Sequence, residues 1–199
     1  SKKLLKKQMK ILKYNIFINE ILDVKKATKK FVNIINVDYK FKEAFSKITT
    51  DSASYIEKCF NLSLKLIKKN SVHLLVNGPV SKKHFLKKKF PGITEYIGNK
   101  TNSKNQVMLI YNKKLSVSPL STHIPIKDVV KFVKKERIVK NVTKINEFYK
   151  VKLNKIPKIA ILGLNPHCES IHKVSEEEKE IIPAINFLKK KKINVLGPL

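Results

Sequence analysis

The stretch "ILGLNPHCES" at residues 161–170 decides how this sequence is interpreted. It starts with mostly apolar residues, which are typical of a buried strand, and then reaches Gly163, Asn165, Pro166 and His167. Proteins of the α/β class place functional groups at the carboxyl ends of such strands. Because proline restricts the backbone, the stretch predicts a strand whose end presents His167 from a rigid turn.

Length and composition indicate a folded protein. The chain has 199 residues, of which 42% are hydrophobic, so it can bury a substantial core. No apolar run has the length that a membrane span needs, and the lysine-rich start has no apolar signal core, so we expect a cytoplasmic protein without membrane contact. The two cysteines, Cys59 and Cys168, give no disulfide framework.

The formal net charge of +28 would ordinarily favour a nucleic-acid partner. Yet Arg137 is the single arginine among the 43 basic residues, and arginine supplies the forked contacts that read phosphate and guanine. The lysines are also spread along the whole chain. We therefore favour a lysine-rich solvated surface and do not expect nucleic acid as the main partner, and we keep a lysine-rich nucleic-acid-binding module as an alternative.

Hydrophobic spacing alternates between helix and strand patterns. Apolar residues recur every three or four positions after Thr50 and Asp51, which predicts a helix, and "VHLLVNGP" at 72–79 predicts a short buried strand. Ser175 and Glu178 form a capping box for a helix that Pro183 should kink. The fold class predicted is α/β, with a mainly parallel sheet and an antiparallel excursion near 106–122, as one continuous region over residues 1–199.

A second histidine occupies a setting similar to that of His167. His123, in "STHIPI" at 121–126, follows a strand-like stretch and has a proline two residues later. Neutral imidazoles on rigid turns suit zinc or another divalent cation as ligands. Metal sites use three or four protein ligands, however, so the pair alone favours a structural role for both histidines over a shared metal ion.

Four ordered motifs carry a family resemblance. They are "NGPVSK" at 77–82, "FPGITEY" at 90–96, "STHIPI" at 121–126, and "LGLNPHCES" at 162–170 with the acidic helix after it. Together they resemble the 4-hydroxythreonine-4-phosphate dehydrogenases of vitamin B6 biosynthesis. The resemblance implies an isocitrate/isopropylmalate-dehydrogenase-like fold, a homodimer, NAD as the hydride acceptor, and a divalent metal, which could be zinc, magnesium or cobalt.

The resemblance also implies site residues and a reaction. His123 and His167 match two of the family's three metal ligands, and Thr94 matches a residue that contacts the small phosphorylated amino-acid substrate. The reaction implied is the oxidation and decarboxylation of 4-phosphooxy-L-threonine to 3-amino-2-oxopropyl phosphate. No catalytic or NAD-binding residue can be assigned.

Departures from the family pattern add two expectations. Ile93 stands where the family usually has a substrate-contacting histidine, which keeps a related hydroxy acid open as an alternative substrate. The family's opening glycine-rich segment and the segment with the third metal ligand are not in this sequence. We therefore interpret the sequence as an internal fragment of a longer two-subdomain enzyme, inactive alone. Glu169 is a candidate acceptor for a ring proton of His167, and we expect His172 to be exposed in the same loop.

Overall fold

The computed structural model describes residues 1–87, 89–103, 106–168 and 175–199. Within them the chain forms two compact units, Ser1–Lys104 and Asn105–Leu199. The sequence predicted one continuous region over residues 1–199, and that remains a prediction. No helix in the described ranges is long and apolar enough to cross a membrane.

The first unit combines three α-helices with a small parallel sheet. In chain order its elements are α1 (Lys2–Leu12), β1 (Ile18–Glu20), β2 (Val32–Ile34), α2 (Ala53–Lys68) and α3 (Ile93–Lys100), with 3-10 turns at Val24–Lys26 and Thr50–Ser52 and a π-helical turn at Lys82–Leu86. β1 and β2 pair in parallel, with Ile18 opposite Val32. The predicted helix is confirmed as α2, and Thr49 caps the 3-10 turn that leads into it.

The core of the first unit is mainly aromatic. Phe60 of α2 and Tyr96 of α3 pack edge to face with ring centroids 5.4 Å apart, and Phe85 lies 5.1 Å from Tyr96 in a similar geometry. Residues 72–79 do not form the predicted strand. Leu75 packs on this core, but Leu74 and Val76 are 75% and 81% exposed, and no described strand pairs with them. The segment therefore contacts the core through Leu75 but lacks the ladder that a buried strand requires.

The second unit contains a β-α-β arrangement and an additional long helix. Its elements are a 3-10 helix at Ile126–Phe132, α4 (Lys135–Leu153), β3 (Ile159–Ala160), a π-helical turn at Glu177–Ile181, α5 (Ile182–Lys190) and β4 (Val195–Leu196). β3 and β4 pair in parallel. The predicted antiparallel excursion is an isolated bridge, in which Ile110 and Val117 exchange backbone hydrogen bonds of 2.8 and 3.0 Å.

The predicted parallel direction of the strands is confirmed, but the predicted single sheet is larger than the sheets that form. The described residues form two separate two-stranded parallel sheets, β1 with β2 and β3 with β4. The kink predicted at Pro183 in the middle of the helix is replaced by an irregularity before the proline, because the helix has π geometry over Glu177–Ile181 and α5 then starts with Pro183 in its first turn.

Aliphatic side chains form the core of the second unit. Helical spacing brings Ile181, Ala184, Ile185 and Leu188 to one face, and each of them is at most 3% exposed. This face packs against α4 and the strands. Leu120, Ile159 and Ile161 are partly buried against the same cluster. The segments that lead to His123 and to His167 thus start from one hydrophobic core.

Candidate functional site

The backbone hydrogen-bond ladder that precedes His167 continues beyond the end of β3 at Ala160. The backbone N–H of Ile161 donates to the Leu196 carbonyl at 2.9 Å, and that of Gly163 donates to the Leu199 carbonyl at 3.0 Å. The ladder therefore fixes the chain up to Gly163, four residues before the histidine. This agrees with the predicted strand that ends in a turn.

Asn165 shapes the turn itself. Its Oδ1 accepts the backbone N–H of His167 at 3.0 Å, and its carbonyl accepts the N–H of Cys168 at 3.2 Å. Such a contact from an Asn side chain to the backbone two residues later closes a turn without a strand partner. His167 is exposed at this turn, and so its imidazole is accessible to a ligand from solvent.

Gly163 is required by close packing inside the turn. A Cβ at this position would lie 2.5 Å from Cys168 Sγ and 3.1 Å from the Asn165 carbonyl oxygen. The turn folds back on its own start, which leaves no room for a side chain there. Cys168 is thereby a packing residue of the turn, and its Sγ lies 3.8 Å from the same carbonyl oxygen.

A buried carboxylate from the following helix holds the turn. Glu177 is only 1% exposed, and its Oε1 accepts the backbone N–H of Leu164 at 2.7 Å and that of Asn165 at 3.3 Å. Asn165 Nδ2 lies 3.5 Å from the same oxygen. The carboxylate therefore accepts hydrogen bonds from backbone N–H groups that lie just beyond the end of the strand ladder.

The pKa of Glu177 reflects two opposed effects. Burial raises it, because a charge is less stable away from water, while hydrogen bonds from its own backbone and from Leu164, Asn165 and Ser175 lower it. The hydrogen bonds prevail, and the pKa of the carboxyl lies below its ordinary value. Glu177 is therefore held as a carboxylate at neutral pH.

The sequence predicted a capping box of Ser175 and Glu178 at this helix N-terminus and did not predict the role of Glu177. Part of that interpretation is confirmed, since Ser175 Oγ accepts the backbone N–H of Glu178 at 3.2 Å, which is half of a capping box. The signal for Glu177 was its spacing. It precedes Ile181 by four residues and so lies on the apolar face of the helix.

His123 lies on a different kind of turn. Its backbone has φ of +56°, a left-handed conformation, and its side chain is exposed. Pro125 follows and caps the 3-10 helix at Ile126–Phe132, with the Asp128 N–H donating to the Pro125 carbonyl at 2.9 Å. The turn at His123 is therefore defined by this left-handed backbone and by the 3-10 helix that follows Pro125, and the rigidity expected from the sequence stays a prediction.

The described residues supply an incomplete donor set for a metal ion. Among residues 1–87, 89–103, 106–168 and 175–199, no three His, Cys, Asp or Glu side chains are grouped so that they could hold one. His123 and His167 are both exposed on turns that extend from the same core. Their convergence on one cation stays a prediction, and so does the metal. Glu169 and His172, which the sequence placed near His167, lie outside the described residues.

Thr94 lies in the first unit, in the first turn of α3, where it is half-buried. Gly92 caps this helix, and a Cβ on it would lie 2.8 Å from Glu95 Oε2. Ile93, the departure from the family pattern, packs against the aromatic core. The side chain of Ile93 therefore contributes to packing, whereas the family's usual histidine at this position would contact the substrate. The substrate-binding role of Thr94 stays a prediction.

Comparison with known proteins now decides the family. The sequence model of the pyridoxal phosphate biosynthetic protein PdxA matches residues 1–199, which is the whole chain. The chain belongs to this family. The resemblance inferred from the four motifs is thereby confirmed.

Individual relatives agree with the PdxA assignment. A 4-hydroxythreonine-4-phosphate dehydrogenase of Sulfurihydrogenibium sp. is 33% identical over 206 residues, covering 100% of this chain and 63% of the relative. A D-threonate 4-phosphate dehydrogenase of Pectobacterium atrosepticum is 27% identical over 172 residues, covering 84% of this chain and 53% of the relative. This chain thus spans less than two thirds of the length of these relatives.

A solved structure supports the α/β fold. The crystal structure of 4-hydroxythreonine-4-phosphate dehydrogenase from Klebsiella pneumoniae matches with a TM-score of 0.81 at 21% identity, covering 99% of this chain and 62% of that chain. At this identity the likeness concerns the fold. The predicted α/β class is confirmed by it together with the helices and strands described above.

Proposed function

We propose that this chain is part of an NAD-dependent dehydrogenase that oxidises and decarboxylates 4-phosphooxy-L-threonine in pyridoxal phosphate biosynthesis. The observation that carries the proposal is the match of the PdxA family over residues 1–199. In the overall reaction a hydride passes to NAD⁺ and the alcohol proton is released, the carboxylate then leaves as carbon dioxide, and the carbon that carried it takes up a proton, which yields 3-amino-2-oxopropyl phosphate with no net release of protons. The isocitrate/isopropylmalate-dehydrogenase-like arrangement, the homodimer and the cytoplasmic location belong to the same proposal.

His123 and His167 would contribute two imidazole nitrogens to a divalent cation. Both are exposed and both sit on constrained turns, which fits ligation, and at least one further ligand is needed for an ordinary coordination number. When bound, the cation supplies Lewis-acid polarisation of the substrate alcohol oxygen. Of zinc, magnesium and cobalt, the two imidazoles favour zinc or cobalt over magnesium and do not select between zinc and cobalt.

Other residues of the chain would bind and attract the substrate. Thr94 offers a hydroxyl that can donate a hydrogen bond to an anionic group of the substrate. The net charge of +28 creates a field that attracts a phosphorylated substrate to the protein. This gives the lysine excess a role without nucleic acid, and weak salt-dependent binding of nucleic acid would be a consequence of the same charge.

A second substrate is favoured by specific observations. Ile93 packs on the aromatic core, so the family's usual histidine donor is absent, and a relative that covers 84% of this chain is named D-threonate 4-phosphate dehydrogenase. Loss of a polar contact that a substrate requires changes discrimination strongly. We therefore keep a related phosphorylated hydroxy acid, D-threonate 4-phosphate, as the second candidate.

The test is turnover by the protein expressed from its whole gene. NADH formation is followed with 4-phosphooxy-L-threonine and with D-threonate 4-phosphate, before and after removal of metal by a chelator. We expect turnover that metal restores, and that His123→Ala and His167→Ala each abolish. The preferred substrate ranks the two candidates. Absence of turnover with both substrates, combined with tight, steeply salt-dependent binding of DNA or RNA that neither variant changes, would instead support the nucleic-acid alternative.

A further inference from the structure

The carboxylate of Glu177 is unusual in being both charged and buried. Charged side chains are rarely buried unless they are paired, because loss of hydration is costly. Here the compensation comes from N–H groups of Leu164 and Asn165, which are 13 and 12 residues away in sequence. A charged side chain of the helix thus contacts the end of the strand, at a position where an apolar residue would have continued the buried face of the helix.

A short chain of hydrogen bonds links this carboxylate to the histidine turn. Glu177 Oε1 accepts the backbone N–H groups of Leu164 and Asn165, and Asn165 Oδ1 accepts the backbone N–H of His167 at 3.0 Å. Each contact fixes the backbone between the end of the ladder at Gly163 and the histidine. The orientation of a metal-bound histidine commonly depends on such supporting groups.

We propose that Glu177 is a positioning residue that fixes the backbone from which His167 presents its imidazole to a divalent cation. The inference rests on the proposed function, because it requires His167 to be a metal ligand. Glu177 itself acts through Asn165 and the turn. Charge-assisted hydrogen bonds are stronger than neutral ones, so a carboxylate holds the turn more tightly than an amide would.

Glu180 provides a matched control on the same helical segment. Its carboxylate also accepts a backbone N–H, that of Lys135 at 2.8 Å, and pairs with Lys134 Nζ at 2.8 Å. It therefore has a comparable structural role at the start of α4, away from the histidine turn. A variant at Glu180 reports what the loss of a helix-anchoring carboxylate does to the fold alone.

The experiment measures cobalt(II) affinity and the visible absorption of bound cobalt in the protein expressed from its whole gene. We expect Glu177→Ala to lower affinity by about 10- to 100-fold and to alter the absorption spectrum. Glu177→Gln keeps an acceptor oxygen and should recover part of the loss, and it also serves if the alanine variant does not fold. Glu180→Ala should lower the unfolding temperature and leave the affinity and spectrum unchanged.

The outcomes separate the two proposals. Tight cobalt binding by the unaltered protein, lost in His167→Ala but unaffected in Glu177→Gln and Glu177→Ala, overturns the positioning role and leaves the proposed function standing. Equal losses in the Glu177 and Glu180 variants also overturn it, because they show a general structural effect. No cobalt binding by the unaltered protein overturns the metal-assisted function and, with it, this inference.

Discussion

The turns that carry His167 and His123 are both exposed and both extend from the aliphatic core, yet they are stabilised differently. The His167 turn is held by side chains: Asn165 closes it and the buried Glu177 binds its backbone. In the His123 turn the histidine itself is left-handed, with φ of +56°, and a 3-10 helix starts one residue after Pro125, whereas in the His167 turn the left-handed residue is the neighbouring Cys168, with φ of +54°.

This difference predicts different sensitivity to mutation. A turn fixed by side-chain contacts is weakened by substitutions at several positions, some of them distant in sequence. A turn fixed by a left-handed backbone depends mainly on which residue occupies that position. The variants below separate the two cases, from the largest expected loss of stability to the smallest.

Gly163→Ala should have the largest effect. The new Cβ would lie 2.5 Å from Cys168 Sγ and 3.1 Å from the backbone carbonyl oxygen of Asn165, and the backbone atom cannot move without opening the turn. We expect a loss of about 1–3 kcal/mol in the free energy of unfolding, as for other overpacked sites. Urea unfolding measures it.

Gly78→Ala is the matched control, because a Cβ there has no heavy atom within 4 Å. It should leave stability nearly unchanged. Adding Cys168→Ala to Gly163→Ala removes the nearer of the two obstructing atoms and should restore part of the loss. A Gly163→Ala protein as stable as the Gly78→Ala protein would show that the turn is not tightly packed.

Glu177→Gln should change how stability depends on pH. Because the pKa of Glu177 is lower in the folded chain than in the unfolded one, its ionisation stabilises the fold. That contribution is complete above the unfolded pKa of about 4.3 and is lost as pH falls through the lower folded pKa. We expect Glu177→Gln to cost about 1–3 kcal/mol at neutral pH and much less in acid.

Unfolding by urea at a series of pH values measures this dependence. Glu178 is exposed, so Glu178→Gln is the control for removing one charge from the same helix start, and it should change stability little at any pH. If Glu177→Gln and Glu178→Gln show the same pH dependence, the buried carboxylate does not hold the turn.

The sequence allowed the strand end, the helices and the family to be predicted, because each depends on a local pattern. The strand through Ile161 and the helix after Ser175 follow from apolar spacing and capping residues. Residues 72–79 show the limit of such patterns. Their apolar residues match a strand, but a strand needs a pairing partner, and hydropathy does not reveal whether one exists.

The candidate site was predicted less completely for a related reason. The positions of His123 and His167 at turns were evident from the neighbouring prolines, and the structure confirms that both are exposed on turns. The role of Glu177 depends on its hydrogen bonds with Leu164 and Asn165, which lie 13 and 12 positions before it in the sequence. Its place on the apolar face of the π-helical turn before α5 follows from its spacing, but it is one of three consecutive glutamates at a helix N-terminus, where carboxylates ordinarily interact with the helix dipole from the surface.

Asn165→Ala should have an intermediate effect. It removes the acceptor for the His167 N–H and should cost about 1 kcal/mol, together with about a tenfold loss of cobalt affinity. Asn112→Ala is the matched control, since Asn112 Oδ1 accepts the Lys114 N–H at 2.9 Å in the same local geometry elsewhere in the unit. Isothermal titration calorimetry with cobalt measures the affinity, and unfolding in urea measures the stability. Equal cobalt affinity in the two variants would contradict a specific role of Asn165 at the histidine turn.

His123→Asn should have the smallest effect on stability. Asparagine tolerates the left-handed conformation that φ of +56° requires, so we expect a change within about 0.5 kcal/mol. His123→Val places a β-branched residue in the same conformation and should cost about 1–3 kcal/mol. Both variants lose the imidazole, so both should lose cobalt binding while only the valine variant unfolds more easily in urea. Equal stability of the two variants would mean that the His123 turn is not fixed by its backbone, and the contrast with the His167 turn would then be wrong.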